Sequence, residues 1–114
     1  PDIEVKHISI VTHSMLARLR EKDIQAAFAR PVNEDFPGIA EDYYELIEEP
    51  MDFRTIEEER LNRYKTIQDL QQDLLLVFRN CITFNPKKKD ALNLLATELL
   101  STLDDTFRDV CTDL

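Results

Sequence analysis

Apolar residues recur three and four positions apart along most of the chain and divide it into four helical stretches. From about Ile3 to Phe28, the residues Ile8, Val11, Met15, Leu16 and Leu19 fall on one face, which predicts a first long helix ending before Pro31. The pattern then breaks between Ala29 and Pro50. Pro31, Pro37, Gly38 and Pro50 interrupt it, while Val32, Phe36, Ile39, Tyr43, Tyr44, Leu46 and Ile47 keep the segment apolar. A connection of about 20 residues inside a small domain is more often functional than passive. Asp52 is the expected N-cap of a short helix through Leu61, with Glu57, Glu58 and Glu59 on its outer side. Thr66, with Asp69 three positions on, forms an approximate capping box for a third helix. A fourth starts near Asp90 and carries Leu92, Leu95, Ala96, Leu99, Leu103, Phe107 and Val110 on one broad face. Four amphipathic helices joined with one long loop predict an all-α four-helix bundle.

The third helix raises the first question of chemistry. At about 3.6 residues per turn, Ile67, Leu70, Leu74, Phe78, Cys81 and Asn85 share a narrow sector, so Asn85 continues an apolar stripe with an amide. Pro86 disfavours helical geometry at the residue before it and therefore ends the helix at Asn85, at one end of the bundle. An inward amide needs hydrogen-bond partners or costs about 1–3 kcal/mol. Two readings stand: a terminating Asn satisfied by its own turn, or a donor aimed at a ligand.

The length of 114 residues suits one domain, residues 1–114, and the single glycine, Gly38, argues against a strand-rich fold. The acids outnumber the basic residues 23 to 14, for a formal net charge of −9, which argues against direct nucleic-acid binding. The excess lies between Asn33 and Arg60, where 11 acids face only Arg54 and Arg60. Such a run is either a solvated face or a surface that attracts basic peptides. Cys81 and Cys111 lack metal-ligand spacing, and no apolar run approaches the length of a membrane span. No cofactor, metal or membrane partner is expected, and the setting read from these features is soluble, reducing and intracellular, with both thiols free. For an enzyme, Glu4-Val5-Lys6-His7 has the Glu-x-x-His spacing of di-iron bundles, but His13 has Ile10 where a second pair needs Glu. No phosphate loop, calcium loop or partnered serine is present.

These pieces, in their order and spacing, resemble a bromodomain, the acetyl-lysine reader module. The carriers are Pro31-Val32, Asp42-Tyr43-Tyr44-Glu45-Leu46-Ile47, Pro50-Met51-Asp52-Phe53 with Thr55-Ile56, Tyr64, and Asn80-Cys81-Ile82-Thr83-Phe84-Asn85-Pro86. The resemblance implies a left-handed bundle whose long first loop and third interhelical loop form a pocket at one end. It implies that Asn85 donates to the acetyl carbonyl, that Tyr43 reaches the same oxygen through a water, and that Phe28, Val32, Phe36, Ile39 and Phe84 line the walls. A further wall residue at the start of the fourth helix is either Ala91, six residues past Asn85, or Leu92, if Ala96 sets the alignment. Acetylated histone tails are the implied partners, the nucleus the implied location, and a monomer the implied state. The alternative is a bromodomain-like interaction module without acetyl-lysine binding.

The sequence also departs from the family pattern. Ala26-Ala27-Phe28 stands where many members have Trp-Pro-Phe, which opens one side of the pocket. Glu21-Lys22-Asp23 and Pro50-Met51-Asp52-Phe53 resemble the subgroup found in acetyltransferase scaffold proteins. Glu34, Asp35, Glu41 and Asp42 are expected to attract a basic peptide, and Lys87, Lys88 and Lys89 on the opposite rim to repel one.

Overall fold

A computed structural model describes residues 5–114, and within them every regular element is helical. Ile3 and Glu4, where the sequence pattern starts the first helix and the Glu-x-x-His pair, lie outside the described residues. Helix α1 runs Val5–Lys22, and the connection folds into short turns: α2 at Val32–Asp35, a 3-10 turn at Pro37–Ile39, and α3 at Ala40–Leu46. The second long-range element begins as α4, Phe53–Thr55, widens into a π turn at Ile56–Arg60 and tightens into a 3-10 turn at Leu61–Arg63. Helices α5, Ile67–Phe84, and α6, Ala91–Thr112, complete the bundle.

The packing follows the apolar stripes. Ile8, Val11, Met15, Leu16 and Leu19 of α1 are all buried, as are Leu70, Leu74 and Phe78 of α5 and Ala96, Leu99, Leu103, Phe107 and Val110 of α6. Helix α6 packs against both α1 and α5, with Phe53 and Ile56 closing the core from the second element. Full burial of each large side chain contributes roughly 1.5–3 kcal/mol before entropy is charged against it. Asp52 caps α4, its carboxylate accepting from Thr55 N at 3.0 Å and Thr55 Oγ1 at 2.6 Å. Thr66 and Asp69 form the full reciprocal capping box at the start of α5. The end of the π turn is tied to α5: Arg60 donates to Asp73 at 2.9 and 3.3 Å, and the Tyr64 hydroxyl donates to the same carboxylate at 2.5 Å.

One boundary differs from the sequence pattern. The first helix ends at Lys22, six residues before Phe28. Asp23 causes this. Its buried carboxylate accepts from the backbone N–H groups of Ala27 and Phe28, both at 2.8 Å, so the chain doubles back instead of continuing the helical ladder. Ala26 takes a left-handed φ of 54° within that turn, and Ile24, about 140° around a helix from Leu19 and so off the stripe, is 90% exposed. A left-handed alanine is strained by roughly 1–2 kcal/mol, which the two bonds to Asp23 offset.

The far end of the connection is also pinned. Phe53 N donates to Phe28 O at 2.9 Å and Arg54 N to Ala29 O at 3.1 Å. The Asn80 side chain donates to Glu49 O at 2.8 Å, fixing the loop's return to α5. The apolar residues of the connection are thereby held over the end of the bundle where α5 stops.

Candidate functional site

Helix α5 stops where Pro86 forces it to, and Asn85 is its C-cap. The end of α5 through Asn85, with Leu92 of α6, and the connection from Ala27 to Asp52 face each other across a cleft of about 550 Å³ of empty space, its open mouth included. That is the size of a small-ligand site. Its lining contains Asn85, Tyr43, Phe28, Val32, Phe36, Ile39, Phe84 and Leu92. Ala91, the other candidate at the start of the fourth helix, is exposed and outside the lining. It is the first residue of α6, and one helical step of about 100° separates it from Leu92.

The local geometry explains how each side chain is held. Phe28 is buried against Phe78 and Phe53, with ring centroids 5.3 and 6.1 Å away. Ile39 and Tyr43 lie four residues apart across the start of α3, and Tyr43 packs edge-on against Phe84 at 5.0 Å. Phe36 and Ile39 stay 39% and 40% exposed, so the mouth has apolar lips. Tyr44 faces the other way: its hydroxyl accepts from Asn33 N at 3.3 Å and donates to Asn33 Oδ1 at 3.0 Å.

Asn85 is held from three sides. Its backbone N–H and its Nδ2 both donate to the Cys81 carbonyl, at 2.9 and 3.0 Å. Its own carbonyl accepts from Nδ2 of the buried Asn93 at 2.6 Å, and Thr97 in turn donates to Asn93 Oδ1 at 3.3 Å. The turn therefore satisfies one of the two Nδ2 protons. The other lies near the Cys81 sulfur, 3.8 Å from Nδ2, a distance that makes a weak partner. The amide thus caps its own helix, and its second N–H, with only the thiol beside it, borders the cleft.

The remaining polar groups decide what kind of chemistry the cleft can host. Burial pushes the Tyr43 phenol up to about 12, with Cys81, Tyr44 and Asp52 adding to the effect. The hydroxyl is thus neutral at physiological pH, and it has no hydrogen-bond partner among the described residues. Burial likewise pushes the Cys81 thiol up to about 11 against the opposing pull of Asn85, so it is no activated nucleophile. It donates instead to Leu92 O at 3.5 Å. Asp52 is occupied by Thr55, and no histidine lines the cleft. An apolar slot with neutral donors suits an uncharged polar group on an apolar stem. A free ammonium would lose its hydration there, and the one carboxylate in the lining, Asp52, is already engaged by Thr55.

Both shifted groups also set a pH dependence. Each folded-state value lies above the ordinary one, 10.0 for the phenol and 9.0 for the thiol, so the unfolded chain releases these protons first. Their contribution to stability is complete below about pH 9 and is lost as pH rises through about 11 to 12. The urea midpoint is expected to hold from pH 7 to about 8.5 and to fall by about pH 10.5; a midpoint that rises over that upper interval contradicts the assignment.

Sequence reasoning did not assign Met51, Val77, Cys81, Arg30 or Asp52 to the lining. Val77 and Cys81 were legible, since they lie two turns and one turn before Asn85 on α5; Arg30 carried no periodic signal. Part of the expected attracting face is paired within the fold. Glu34 pairs with Arg54, and Asp35 accepts from Arg30 Nε at 3.0 and 3.2 Å, so both acids are already matched. Glu41 and Asp42 remain exposed without an ion pair among the described residues, as do Lys87, Lys88 and Lys89.

Comparison with known proteins gives a consistent family. The family model described as Bromodomain matches residues 13–97. The chain is 33% identical over 88 residues to the Homo sapiens bromodomain and PHD finger-containing protein 3, covering 75% of this chain and 7% of that protein. It is 38% identical over 80 residues to the histone acetyltransferase GCN5 of Yarrowia lipolytica, covering 69% of this chain and 16% of that protein. In three dimensions it matches the crystal structure of a bromodomain from Leishmania donovani complexed with bromosporine, with a TM-score of 0.78, 26% identity and coverage of 90% of this chain and 84% of that one. The chain thus corresponds to 7% and 16% of the length of those two curated relatives.

Proposed function

The chain belongs to the bromodomain family, and from that premise we propose that it binds acetylated lysine through Asn85 and Tyr43. Bromodomains are binding modules, generally acetyl-lysine readers of chromatin and transcription factors, and not catalysts. The supporting observation is the pairing of two neutral polar groups in one apolar cleft: an Asn85 amide with donor capacity left over, and a Tyr43 hydroxyl with no partner among the described residues. In this reading Asn85 Nδ2 donates directly to the acetyl oxygen, and Tyr43 reaches it through a water. Phe28, Val32, Phe36, Ile39, Phe84 and Leu92 enclose the methyl group and the lysine stem. Acetylation converts a cation that the cleft rejects into an amide that it accepts, so the cleft reads a change of charge.

The partners in this reading are acetylated segments of histone tails, met in the nucleus by a single monomeric module. A panel of histone-tail peptides, each acetylated and unmodified, tests it by titration: acetylated members should bind and their unmodified twins should not. Equal binding of the two forms would remove the acetyl group from the account. Tyr43→Phe is expected to weaken the best peptide by no more than about tenfold, because it removes a water-mediated link and leaves the ring packed on Phe84. A loss larger than that of Asn85→Ala would reverse the assignment of direct and water-mediated roles.

A further inference from the structure

Arg30 is the one cationic side chain in the cleft lining, and only part of its hydrogen-bonding capacity is used. Its side chain is 49% exposed and its Nε is held by Asp35. The terminal Nη groups make no hydrogen bond among the described residues, which leaves four N–H donors of a fixed, planar fork at the mouth. The one acid of the cleft lining, Asp52, does not compete for them. Glu34 is taken by Arg54, and both Asp52 oxygens are taken by Thr55. Glu41 is exposed and stands two residues, about 200° of helical rotation, from the cleft-lining Tyr43 on α3. On the other side, the loop leaving Asn85 carries Lys87, Lys88 and Lys89, all exposed. None of these lysines lines the cleft, and Lys88 borders the outer groove with Leu94 and Thr97, so the Arg30 fork is the free cationic donor set of the lining, in a chain whose formal net charge is −9.

We infer that Arg30 is a specificity-determining residue: its free Nη groups donate to a carboxylate side chain next to the acetylated lysine, so the cleft selects acetylated segments with acidic flanks over those with basic flanks. This deepens the acetyl-lysine reading and rests on it. It runs opposite to the sequence-based expectation of a basic partner: of the four acids behind that expectation, Glu34 and Asp35 are paired within the fold, while Glu41 and Asp42 have no ion pair among the described residues. Asp35 lowers the net charge of the mouth without occupying the Nη donors, so it aims the fork and moderates its pull. The selection is graded, since an exposed charged pair is screened by solvent and salt.

Three peptides of equal length test the inference, each with one acetyl-lysine and with Glu, Gln or Lys on both sides of it. Titrated calorimetrically at moderate salt, the wild-type protein should bind the Glu-flanked peptide roughly three- to fivefold tighter than the Gln-flanked one, the size of an exposed charged contact. The Lys-flanked peptide should be weakest. Arg30→Gln should bring the Glu and Gln peptides to within about twofold of each other while leaving the Gln-flanked affinity near its wild-type value, and Asp35→Asn should widen the gap. A Glu preference that survives in Arg30→Gln overturns the inference, and so does a wild-type protein that binds the Lys-flanked peptide as tightly as the Glu-flanked one. Binding of the acetylated peptides without flank dependence removes this inference alone. Failure of the wild-type protein to bind any of the three removes the acetyl-lysine reading with it.

Discussion

Asn85→Ala is expected to weaken binding of an acetylated peptide by roughly 10- to 100-fold while leaving the domain folded, the range for losing a direct hydrogen bond to a buried acceptor. The asymmetry follows from how Asn85 is held. Its backbone N–H still donates to Cys81 O, and its carbonyl still accepts from Asn93, so both backbone anchors of the C-cap survive the substitution. The only strong side-chain bond lost within the protein is Nδ2 to Cys81 O, at a half-buried position where water can replace it. Thermal melting should therefore shift little, and titration with the best wild-type peptide should show the loss. Unchanged affinity in a folded variant would end the role of Asn85 as the direct donor.

Asp23→Ala is expected to have the largest effect on stability. It deletes the only side chain that binds the Ala27 and Phe28 amides, both at 2.8 Å, and leaves those donors to find water in a part-buried turn. Bonds to a buried carboxylate contribute about 1.5–3 kcal/mol each, and with partial compensation a loss of about 2–4 kcal/mol is expected. For a domain of this size that lowers Tm by about 10–25 °C. The strained Ala26 then loses its counterweight, and Phe28 is released from its place between the core and the cleft. Binding should weaken along with stability. Asp23→Asn, which keeps one acceptor oxygen, should fall between wild type and alanine. A thermal melt of Asp23→Ala within about 3 °C of wild type would contradict this account of the turn.

The parts of this architecture that were legible in the sequence are those written in regular periods or in local capping chemistry. The stripes of α1, α5 and α6 gave their buried residues directly, and Thr66 with Asp69 and Asp52 with Thr55 marked helix starts through bonds spanning three residues. Asn85 was legible because it continued the α5 stripe and preceded proline. The misplaced end of α1 has a different origin: Ile24 and Phe28 lie about 140° and 180° around a helix from Leu19, off the stripe, and the deciding bonds from Asp23 to the backbone leave no periodic trace. The short helical turns between Val32 and Leu46 are too brief for a period to register, and the widening of the second element into a π turn at Ile56–Arg60 has no signal of that kind. Charge was the hardest feature to read. A local count of acids cannot reveal that Glu34 is met by Arg54, 20 residues away, or that Asp35 is met by Arg30 from just outside the counted run. The family relation adds identity to this picture, but relatives as different as a histone acetyltransferase and a bromodomain and PHD finger-containing protein single out no subgroup.

The central claim is that the Asn85 amide, in the cleft beside Tyr43, receives the acetyl group of a modified lysine. Nuclear magnetic resonance of the 15N-labelled protein reads that amide directly, since its two Nδ2 protons give their own signals. On titration with an acetylated histone-tail peptide, the Asn85 side-chain signals should move and saturate together with the backbone signals of Val32, Phe36 and Ile39, and the unmodified twin should leave all of them in place. If the acetylated peptide instead leaves Asn85 unmoved and shifts the outer groove of Ile82, Leu94 and Thr97, with the unmodified peptide doing the same, the chain is an interaction module that does not read acetyl-lysine.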